Sequence, residues 1–175
     1  MRTDIFVVMG VSGCGKSTVG AQLAAAFGME FLEGDTLHPT SNVARMAAGF
    51  ALGDADREGW LQILAVRIQE ARRAGRGLVL SCSALKRSYR DILRQGAPDL
   101  HFLYLHGDPG LLAARMAART GHYMPLSLLA SQLSTLEVPD AGEDAQSFDM
   151  ASPPEVIVTA AVARWPAITA RDPAP

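Results

Sequence analysis

The feature that most constrains this chain is the glycine-rich stretch GVSGCGKST, residues Gly10–Thr18, which follows the apolar run IFVVM. Gly10, Gly15, Lys16 and Ser17 satisfy the pattern G-x-x-x-x-G-K-[ST], with a predicted strand before it and a predicted helix after it. In such a loop the backbone N–H groups turn toward phosphate oxygens, and the helix N-terminus adds its positive dipole end. This phosphate loop (Gly10–Thr18) therefore predicts a nucleoside triphosphate site.

The predicted nucleotide site combines the phosphate loop with two arginines further along the chain. Lys16 can reach the β and γ phosphates, and the Ser17 hydroxyl can ligate Mg²⁺. Arg115 and Arg119 are four residues apart near the end of a predicted helix and precede the stretch TGHYMP, which is typical of an arginine-bearing lid. The alternative is that both arginines only complement the helix dipole. The predicted nucleotide-binding residues are Gly10, Val11, Ser12, Gly13, Cys14, Gly15, Lys16, Ser17, Thr18, Arg115 and Arg119.

Short apolar runs alternate with helical patterns along the rest of the chain, which predicts an α/β fold with a mostly parallel sheet of about five strands. The predicted strands are residues 4–10, 30–35, 77–84, 100–107 and 146–151. The predicted helices are residues 17–27, 42–48, 56–74, 86–95, 109–119, 126–136 and 154–165. We expect a single domain over residues 1–166, with a lid-like segment at about 119–136 and a Pro-rich C-terminal tail at 167–175.

The composition and net charge of the chain argue against nucleic acids, membranes and zinc as binding partners. Charged residues make up 19% of the 175 residues and the net charge is −2, which gives no electrostatic footprint for nucleic acid. No apolar stretch approaches the roughly 20 residues that cross a bilayer, so no membrane partner is expected. Cys14 and Cys82 are the only cysteines, and they show no metal-ligand spacing with the four histidines. We therefore expect a reduced, cytoplasmic protein without a zinc site.

The loops after the strands should share one crevice, because ligands of open α/β sheets bind beyond the carboxyl ends of the strands. Asp35 follows the second predicted strand. A carboxylate opposite the phosphate loop can take the proton from an attacking hydroxyl, or hold Mg²⁺ through water. The alternative is an aspartate that only stabilises a turn.

The segment GDTLHPTSNVARMAAGFALGDADREGW that follows contains several candidate acceptor-binding side chains, namely His38, Asn42, Arg45, Asp54, Asp56 and Arg57. Arginine binds carboxylate or phosphate through two parallel hydrogen bonds, and Asp, Asn and His hydrogen-bond hydroxyls. Together they suit a small, polyhydroxylated and anionic acceptor, although each alone could belong to an ordinary surface loop.

That segment, followed by SCSALKRSYRDILR and FLYLHGDPGLLAARMAARTGHYMPLSLLASQLSTLEVP, resembles the gluconokinase family from about residue 5 to residue 165. The resemblance implies a three-layer α/β/α P-loop fold like that of the nucleoside-monophosphate kinases, and Mg²⁺-dependent transfer of the ATP γ-phosphoryl group to the 6-hydroxyl of D-gluconate. It also implies that the protein forms a homodimer. The product of the reaction, 6-phosphogluconate, would enter the pentose phosphate or Entner–Doudoroff routes. The chain has Ala51 and Gly59 where the family usually has proline, so the backbone should be less stiff at these two positions.

The resemblance also assigns roles to further residues. Lys86 and Arg90 would contact the acceptor or the transferred phosphate, the alternative for Lys86 being a solvated helix face. His122 would belong to the lid. His101 and His106 are interpreted as structural for a different reason, because they lie at the two ends of a predicted strand. The predicted substrate-binding residues are Asp35, His38, Asn42, Arg45, Arg57, Lys86, Arg90 and His122. The predicted catalytic residues are Lys16, Asp35 and Arg119, and the predicted metal ligands are Ser17 and Asp35.

Two other classes compete with a kinase of this kind. A nucleotide-dependent switch is suggested by the D-x-x-G match at Asp56–Gly59, but Asn42 is the only asparagine and no N-K-x-D stretch exists. A binding protein with a vestigial phosphate loop would not need Lys16, Ser17 and Asp35 together. Among kinases, shikimate and nucleoside-monophosphate kinases share the predicted architecture, but their acceptor segments look different.

Overall fold

Five parallel strands form the centre of the computed structural model, which describes residues 4–119 and 125–166. They are β1 (Ile5–Met9), β2 (Glu30–Glu33), β3 (Leu78–Ser81), β4 (His101–His106) and β5 (Ala145–Asp149). Their order across the sheet is β2-β3-β1-β4-β5, and every neighbouring pair is parallel. The order changes direction at β1, so a crevice opens where the phosphate loop leaves this strand.

The helices are α1 (Lys16–Phe27), α2 (Thr40–Ala47), α3 (Asp54–Arg73), α4 (Arg87–Arg94), α5 (Pro109–Ala118), α6 (Leu128–Thr135) and α7 (Pro154–Arg164). A 3-10 turn, Gly34–Leu37, follows β2. α1 packs beside α7, and α3 packs beside α4. Right-handed crossovers put these two pairs on opposite faces of the sheet, which gives three layers.

The burial of β1 on both sides explains why its sequence, IFVVM, is apolar at every position. All five residues of β1 are buried, because helices cover both faces of a parallel sheet. Leu23 from α1 and Trp60, Leu64 and Ile68 from α3 belong to the same buried cluster. β2 lies at the sheet edge and is only partly buried.

The predicted α/β architecture is confirmed, and each predicted strand and helix has a counterpart within about three residues at its ends. The 3-10 turn at Gly34–Leu37 was not predicted. It depends on contacts with β3 and α3 that the local sequence does not contain. Residues 1–3, 120–124 and 167–175 lie outside the described part of the chain, and so do the predicted tail and the first residues of the predicted lid.

Candidate active site

A cavity of about 460 Å³ lies beside the phosphate loop. Its walls come from the loop and the start of α1, from the segment between β2 and α3, and from α5 and α6. The lining residues are Ser12, Gly13, Gly15, Lys16, Ser17, Thr18, Asp35, His38, Met46, Leu52, Arg57, Ser83, Arg115, Ala118, Arg119, Gln132 and Pro154. Four described side chains of this lining are cationic and one, Asp35, is acidic, so the cavity suits an anionic ligand.

The phosphate loop has the backbone that anion binding requires. Gly15 is the N-cap of α1 with φ of 95°, a left-handed conformation that favours glycine. The first turn of α1 contains no acidic residue, and no side chain caps its N–H groups. These N–H groups and the helix dipole therefore remain available to phosphate oxygens.

Lys16 begins α1 and lines the cavity together with Ser17 and Thr18. Its Nζ donates a 3.1 Å hydrogen bond to the Val11 carbonyl oxygen, which keeps the ammonium over the loop. Gly10, Val11 and Cys14 do not line the cavity. Val11 and Cys14 are buried and support the loop from inside, and burial raises the pKa of the Cys14 thiol.

Asp35 reaches the cavity because the 3-10 turn is held at the end of β3. The Gly34 N–H donates to Ser81 Oγ at 3.2 Å, and Trp60 Nε1–H donates to the Gly34 carbonyl oxygen at 2.9 Å. A Cβ on residue 34 would lie 2.2 Å from the Ser81 carbonyl oxygen, so only glycine fits this approach. The carboxylate of the next residue therefore faces the phosphate loop across the cavity.

His38 lines the same side of the cavity. Its ring stacks on Trp60 with centroids 3.9 Å apart and planes 16° apart. Partial burial lowers the pKa of His38 to about 4, and the nearby positive charge of Arg57 adds to this, while Asp35 opposes it. His38 is therefore a neutral hydrogen-bonding group at neutral pH.

Arg57 is only 8% exposed, yet it lines the cavity. Its Nη1 donates to the Leu52 carbonyl oxygen at 2.5 Å and to Tyr89 Oη at 3.4 Å. Its guanidinium carbon lies 5.6 Å from the centre of the Tyr89 ring. No carboxylate pairs with Arg57 among the described residues, so its charge is available to an anionic ligand.

The opposite wall comes from α5 and α6. Arg115 and Arg119 both line the cavity, Arg115 from the last turn of α5 and Arg119 from the residue that follows this helix. Gln132 of α6 accepts a 2.7 Å hydrogen bond from the Ser12 N–H through its Oε1. This bond connects the helix at the C-terminal end of the predicted lid-like segment directly to the phosphate loop.

Three predicted substrate-binding residues line the cavity, namely Asp35, His38 and Arg57, whereas four others do not. Asn42 is buried behind His38. Arg45 is exposed on α2, where it pairs with Asp56 at 3.7 Å. His122, the eighth, lies outside the described residues.

Lys86 lies behind the cavity wall. Its Nζ donates to both carboxylate oxygens of Asp54, at 2.9 and 3.1 Å, and lies 5.7 Å from the Tyr89 ring centre on which Arg57 also rests. These hydrogen bonds lower the pKa of Asp54, and the bond from the Tyr89 hydroxyl adds to the effect. The placement supports a role in holding Tyr89 instead of direct contact with the substrate.

The prediction for Arg90 needs correction, because its side chain is completely buried away from the cavity. Its Nε and Nη2 donate to Glu143 at 2.6 and 2.8 Å, and its Nη1 donates to the carbonyl oxygens of Ala84 and Leu85. These bonds hold the guanidinium inside the protein. Arg90 and Arg57 lie on different elements, and only the packing distinguishes them.

The cavity also contains functional candidates that were not predicted, chiefly Gln132, Ser83, Met46 and Leu52. Met46 and Leu52 form a small buried cluster with Leu128, which gives the cavity an apolar border. A glutamine within a helical pattern has no local signal of function. The D-x-x-G match at Asp56–Gly59 falls inside α3, which is not the strand-following loop of a nucleotide switch.

The sequence is similar to known proteins over most of its length. The family described as AAA domain matches residues 5–139. A gluconokinase from Gluconobacter oxydans is 46% identical over 158 residues, which cover 90% of this chain and 89% of that protein. The chain belongs to the gluconokinase family.

Other gluconokinases and solved structures agree with this family. The thermoresistant gluconokinase of Escherichia coli is 42% identical over 159 residues, covering 90% of this chain and 91% of that protein. A crystal structure of a gluconokinase from Sinorhizobium meliloti superposes with a TM-score of 0.84 at 47% identity, covering 96% of this chain and 95% of that one. An unliganded sugar kinase from Janibacter superposes with a TM-score of 0.91 at 42% identity, covering 97% and 100%. The resemblance seen in the acceptor segment is therefore confirmed.

Proposed function

We propose that this chain is an ATP-dependent gluconokinase, which transfers the γ-phosphoryl group of ATP to the 6-hydroxyl of D-gluconate. Membership of the gluconokinase family supports the substrate class. One structural observation carries the mechanism: the phosphate loop and the group formed by Asp35, His38 and Arg57 line one cavity. A bound nucleotide and a bound acceptor would therefore meet in one crevice.

The phosphoryl transfer follows from the charges around this cavity. The 6-hydroxyl oxygen forms a bond to the γ-phosphorus while the bond from that phosphorus to the β,γ-bridging oxygen breaks, and ADP leaves with the electron pair. Asp35 accepts the hydroxyl proton. Lys16, Arg115 and Arg119 stabilise the negative charge on the phosphoryl oxygens in the transition state.

Arg57 is our candidate for binding the anionic end of gluconate. It is nearly buried, it lines the cavity, and its described partners are a neutral carbonyl and a tyrosine hydroxyl. A guanidinium in such surroundings binds a carboxylate strongly, because little water competes for it. His38 adds a neutral hydrogen-bonding group on the same side.

Magnesium fits the residues that are present. Ser17 and Asp35 offer oxygen ligands on one cavity, and Mg²⁺ typically uses one or two protein oxygens together with substrate phosphates and water. For this reason the lack of a cluster of three ligating side chains among the described residues does not count against it. When bound, the ion neutralises phosphate charge; Ser17 would hold it directly and Asp35 through water, which leaves the Asp35 carboxylate able to accept the proton.

We also propose that residues 1–166 form one kinase domain with a lid at about 119–136, that the protein is a cytoplasmic homodimer, and that its product, 6-phosphogluconate, feeds the pentose phosphate or Entner–Doudoroff routes. In the described part of the chain every helix is too short or too polar to cross a bilayer. Light scattering coupled to size-exclusion chromatography tests the dimer, since a monomeric mass at working concentration would contradict it.

The substrate is tested by ATP consumption with a panel of acceptors: D-gluconate, other sugar acids, shikimate and AMP, each with and without Mg²⁺. We expect turnover with gluconate and none above background with shikimate or AMP. Phosphorus NMR of the product should show a phosphate monoester on the terminal carbon. Preferred turnover of shikimate or AMP would contradict the proposal.

A further inference from the structure

His38 has one ring nitrogen engaged by the protein and one left for the cavity. Its Nδ1 lies 3.4 Å from Asn42 Nδ2. Its Nε2 has no hydrogen-bond partner among the described residues. This nitrogen is not among the fully buried polar atoms that lack a partner, so it is at least partly exposed. Because the ring lines the cavity, Nε2 is the polar group that His38 offers to a ligand.

The Asn42 amide determines which nitrogen of His38 carries the proton. Asn42 lies 2.8 Å from the carbonyl oxygen of Asp56, which can only accept a hydrogen bond. The amide group facing this oxygen must therefore be the NH₂ group, and the same nitrogen faces His38. Since an amide N–H donates, Nδ1 must accept, and the proton of the neutral ring then resides on Nε2.

Trp60 holds the His38 ring and the Asp35 turn in one arrangement. Its indole is 1% exposed and stacks on the imidazole at 3.9 Å. Its Nε1–H donates to the carbonyl oxygen of Gly34, directly before Asp35. One buried side chain thus holds two of the groups that line the acceptor side of the cavity, His38 directly and Asp35 through its neighbour Gly34.

We propose that Asn42 and Trp60 are positioning residues that hold His38 as its Nε2–H tautomer, so that His38 donates a hydrogen bond to an oxygen of the acceptor substrate. The identity of that acceptor rests on the proposed function. An Nε2 that already carries a proton cannot take one from the attacking hydroxyl. The proton therefore goes to Asp35, the one carboxylate among the described cavity-lining residues.

The tautomer can be read without any activity measurement. The protein is labelled with ¹⁵N at histidine, and long-range ¹H–¹⁵N spectra are recorded at pH 8, with His38 assigned by its loss in His38→Gln. We expect a protonated-type shift at Nε2 and an unprotonated-type shift at Nδ1. The reverse pattern, or rapid averaging of the two nitrogens, would overturn the proposal.

Adding gluconate tests the direction of the hydrogen bond. We expect the His38 Nε2–H resonance to move while Nδ1 keeps its unprotonated shift. If gluconate is turned over but this resonance stays in place, the inference fails and the proposed function stands. If no gluconate is turned over, the proposed function fails, and the tautomer result in the free protein still stands by itself.

Variants of His38 distinguish hydrogen-bond donation by its ring from a role in which the side chain only fills space. His38→Gln keeps an N–H donor near the Nε2 position, so we expect its KM for gluconate to stay within about 3-fold of the parent, whereas His38→Leu should raise it by roughly 10-fold or more. The KM for ATP should change in neither. Asn42→Asp, which accepts instead of donating at Nδ1, should move the proton of the ring to Nδ1. Equal KM values for the Gln and Leu variants, or an unchanged tautomer in Asn42→Asp, would overturn the proposal.

Discussion

Arg57 and Arg90 are both buried arginines, yet their guanidinium groups have different surroundings. Glu143 neutralises Arg90 through two hydrogen bonds and lies at 2% side-chain exposure, so this charge serves the fold. Arg57 has a carbonyl and a tyrosine hydroxyl as described partners, and it borders the cavity. A cation without a buried counter-charge beside a cavity is a candidate anion-binding group.

Replacing Asp35 tests the base. Asp35→Asn keeps the side-chain shape but removes the proton acceptor, so we expect kcat to fall by roughly 10²- to 10⁴-fold. ATP affinity, measured by calorimetry, should change little, because the phosphate loop is intact. Asp91→Asn serves as the matched control, since this carboxylate is exposed on α4 and pairs with Arg94. A kcat equal to that of the control would remove Asp35 from the mechanism.

Tyr89 should act through Arg57. Its hydroxyl accepts a hydrogen bond from Arg57 and donates one to Asp54. The Arg57 guanidinium carbon and Lys86 Nζ lie 5.6 and 5.7 Å from the centre of its ring. Tyr89→Phe keeps the ring but removes both hydrogen bonds of the hydroxyl, the one from Arg57 and the one to Asp54. Arg57 keeps its bond to the Leu52 carbonyl oxygen, so the KM for gluconate should rise by only roughly 2- to 10-fold. The KM for ATP should not move.

Tyr104→Phe is the matched control for this prediction. The Tyr104 ring is buried in the core near Cys14, and no acceptor for its hydroxyl is found in the described residues. Steady-state kinetics with each substrate varied separately would show the difference. A Tyr89→Phe variant that raises both KM values equally would indicate a general loosening of the fold.

At the scale of elements, α6 is coupled to the phosphate loop through one hydrogen bond between residues 120 positions apart. Gln132→Met fills similar space but leaves the buried Ser12 N–H without this acceptor, so we expect a loss of about 1–3 kcal/mol in the free energy of unfolding. Gln132→Glu keeps an acceptor and should lose less. It places a negative charge beside the phosphate site, however, so its KM for ATP should rise more than that of Gln132→Met.

Urea denaturation and steady-state kinetics on the two Gln132 variants check these opposite orders. We expect Gln132→Glu to be the more stable of the two variants and also to have the higher KM for ATP. If Gln132→Met is as stable as Gln132→Glu, the hydrogen bond does not connect the two elements as described. The comparison thus separates the bond from the charge.

Gly59 lies within α3, exposed, and a Cβ there would meet nothing within 4 Å. Glycine costs roughly 0.5–1 kcal/mol relative to alanine inside a helix, so Gly59→Ala should raise the unfolding free energy by about that amount. Gly20 in α1 is the contrasting control. A Cβ there would lie 2.6 Å from Phe31 Cε2, so Gly20→Ala should destabilise the protein by about 1–3 kcal/mol. Thermal denaturation of both variants measures this reversal of sign.

At the scale of the whole molecule, the Arg90–Glu143 pair joins α4 to the segment before β5 inside the protein. The hydrogen bonds from Arg90 lower the pKa of Glu143 from its ordinary value of 4.5 to about 2. Because the folded protein holds this carboxylate ionised more strongly than the unfolded chain does, the contribution is complete above pH 4.5. It is lost as the pH falls from about 4.5 toward 2.

We therefore expect the unfolding free energy to fall in acid over this range, as measured by urea titrations at closely spaced pH values. The double variant Arg90→Met/Glu143→Leu replaces the pair by apolar groups and should show a shallower decline across the same window. Other carboxylates titrate in both proteins, so the difference in slope isolates the pair. Parallel slopes would contradict the assignment.

The sequence alone determined what is encoded by neighbouring residues. The spacing of Gly10, Gly15, Lys16 and Ser17 between an apolar run and a helical pattern is local, and so is the alternation that predicts a parallel sheet. The acceptor segment is also contiguous, which is why the family resemblance could be seen there. Asp35, at the end of a strand, belongs to the same class of local signal.

Only the tertiary structure decided which side chains share the cavity. The Gln132 contact spans 120 residues and the Arg90–Glu143 contact spans 53. The tautomer proposed for His38 depends on Asn42, whose amide is oriented by the carbonyl oxygen of Asp56. A sequence pattern determines the hydrophobic periodicity of a helix or strand and the residues that end it. Burial and hydrogen-bond partners, by contrast, arise only when elements distant in sequence pack together. Arg57 and Arg90 are alike in the printed sequence, and only that packing makes one a candidate ligand and the other part of the core.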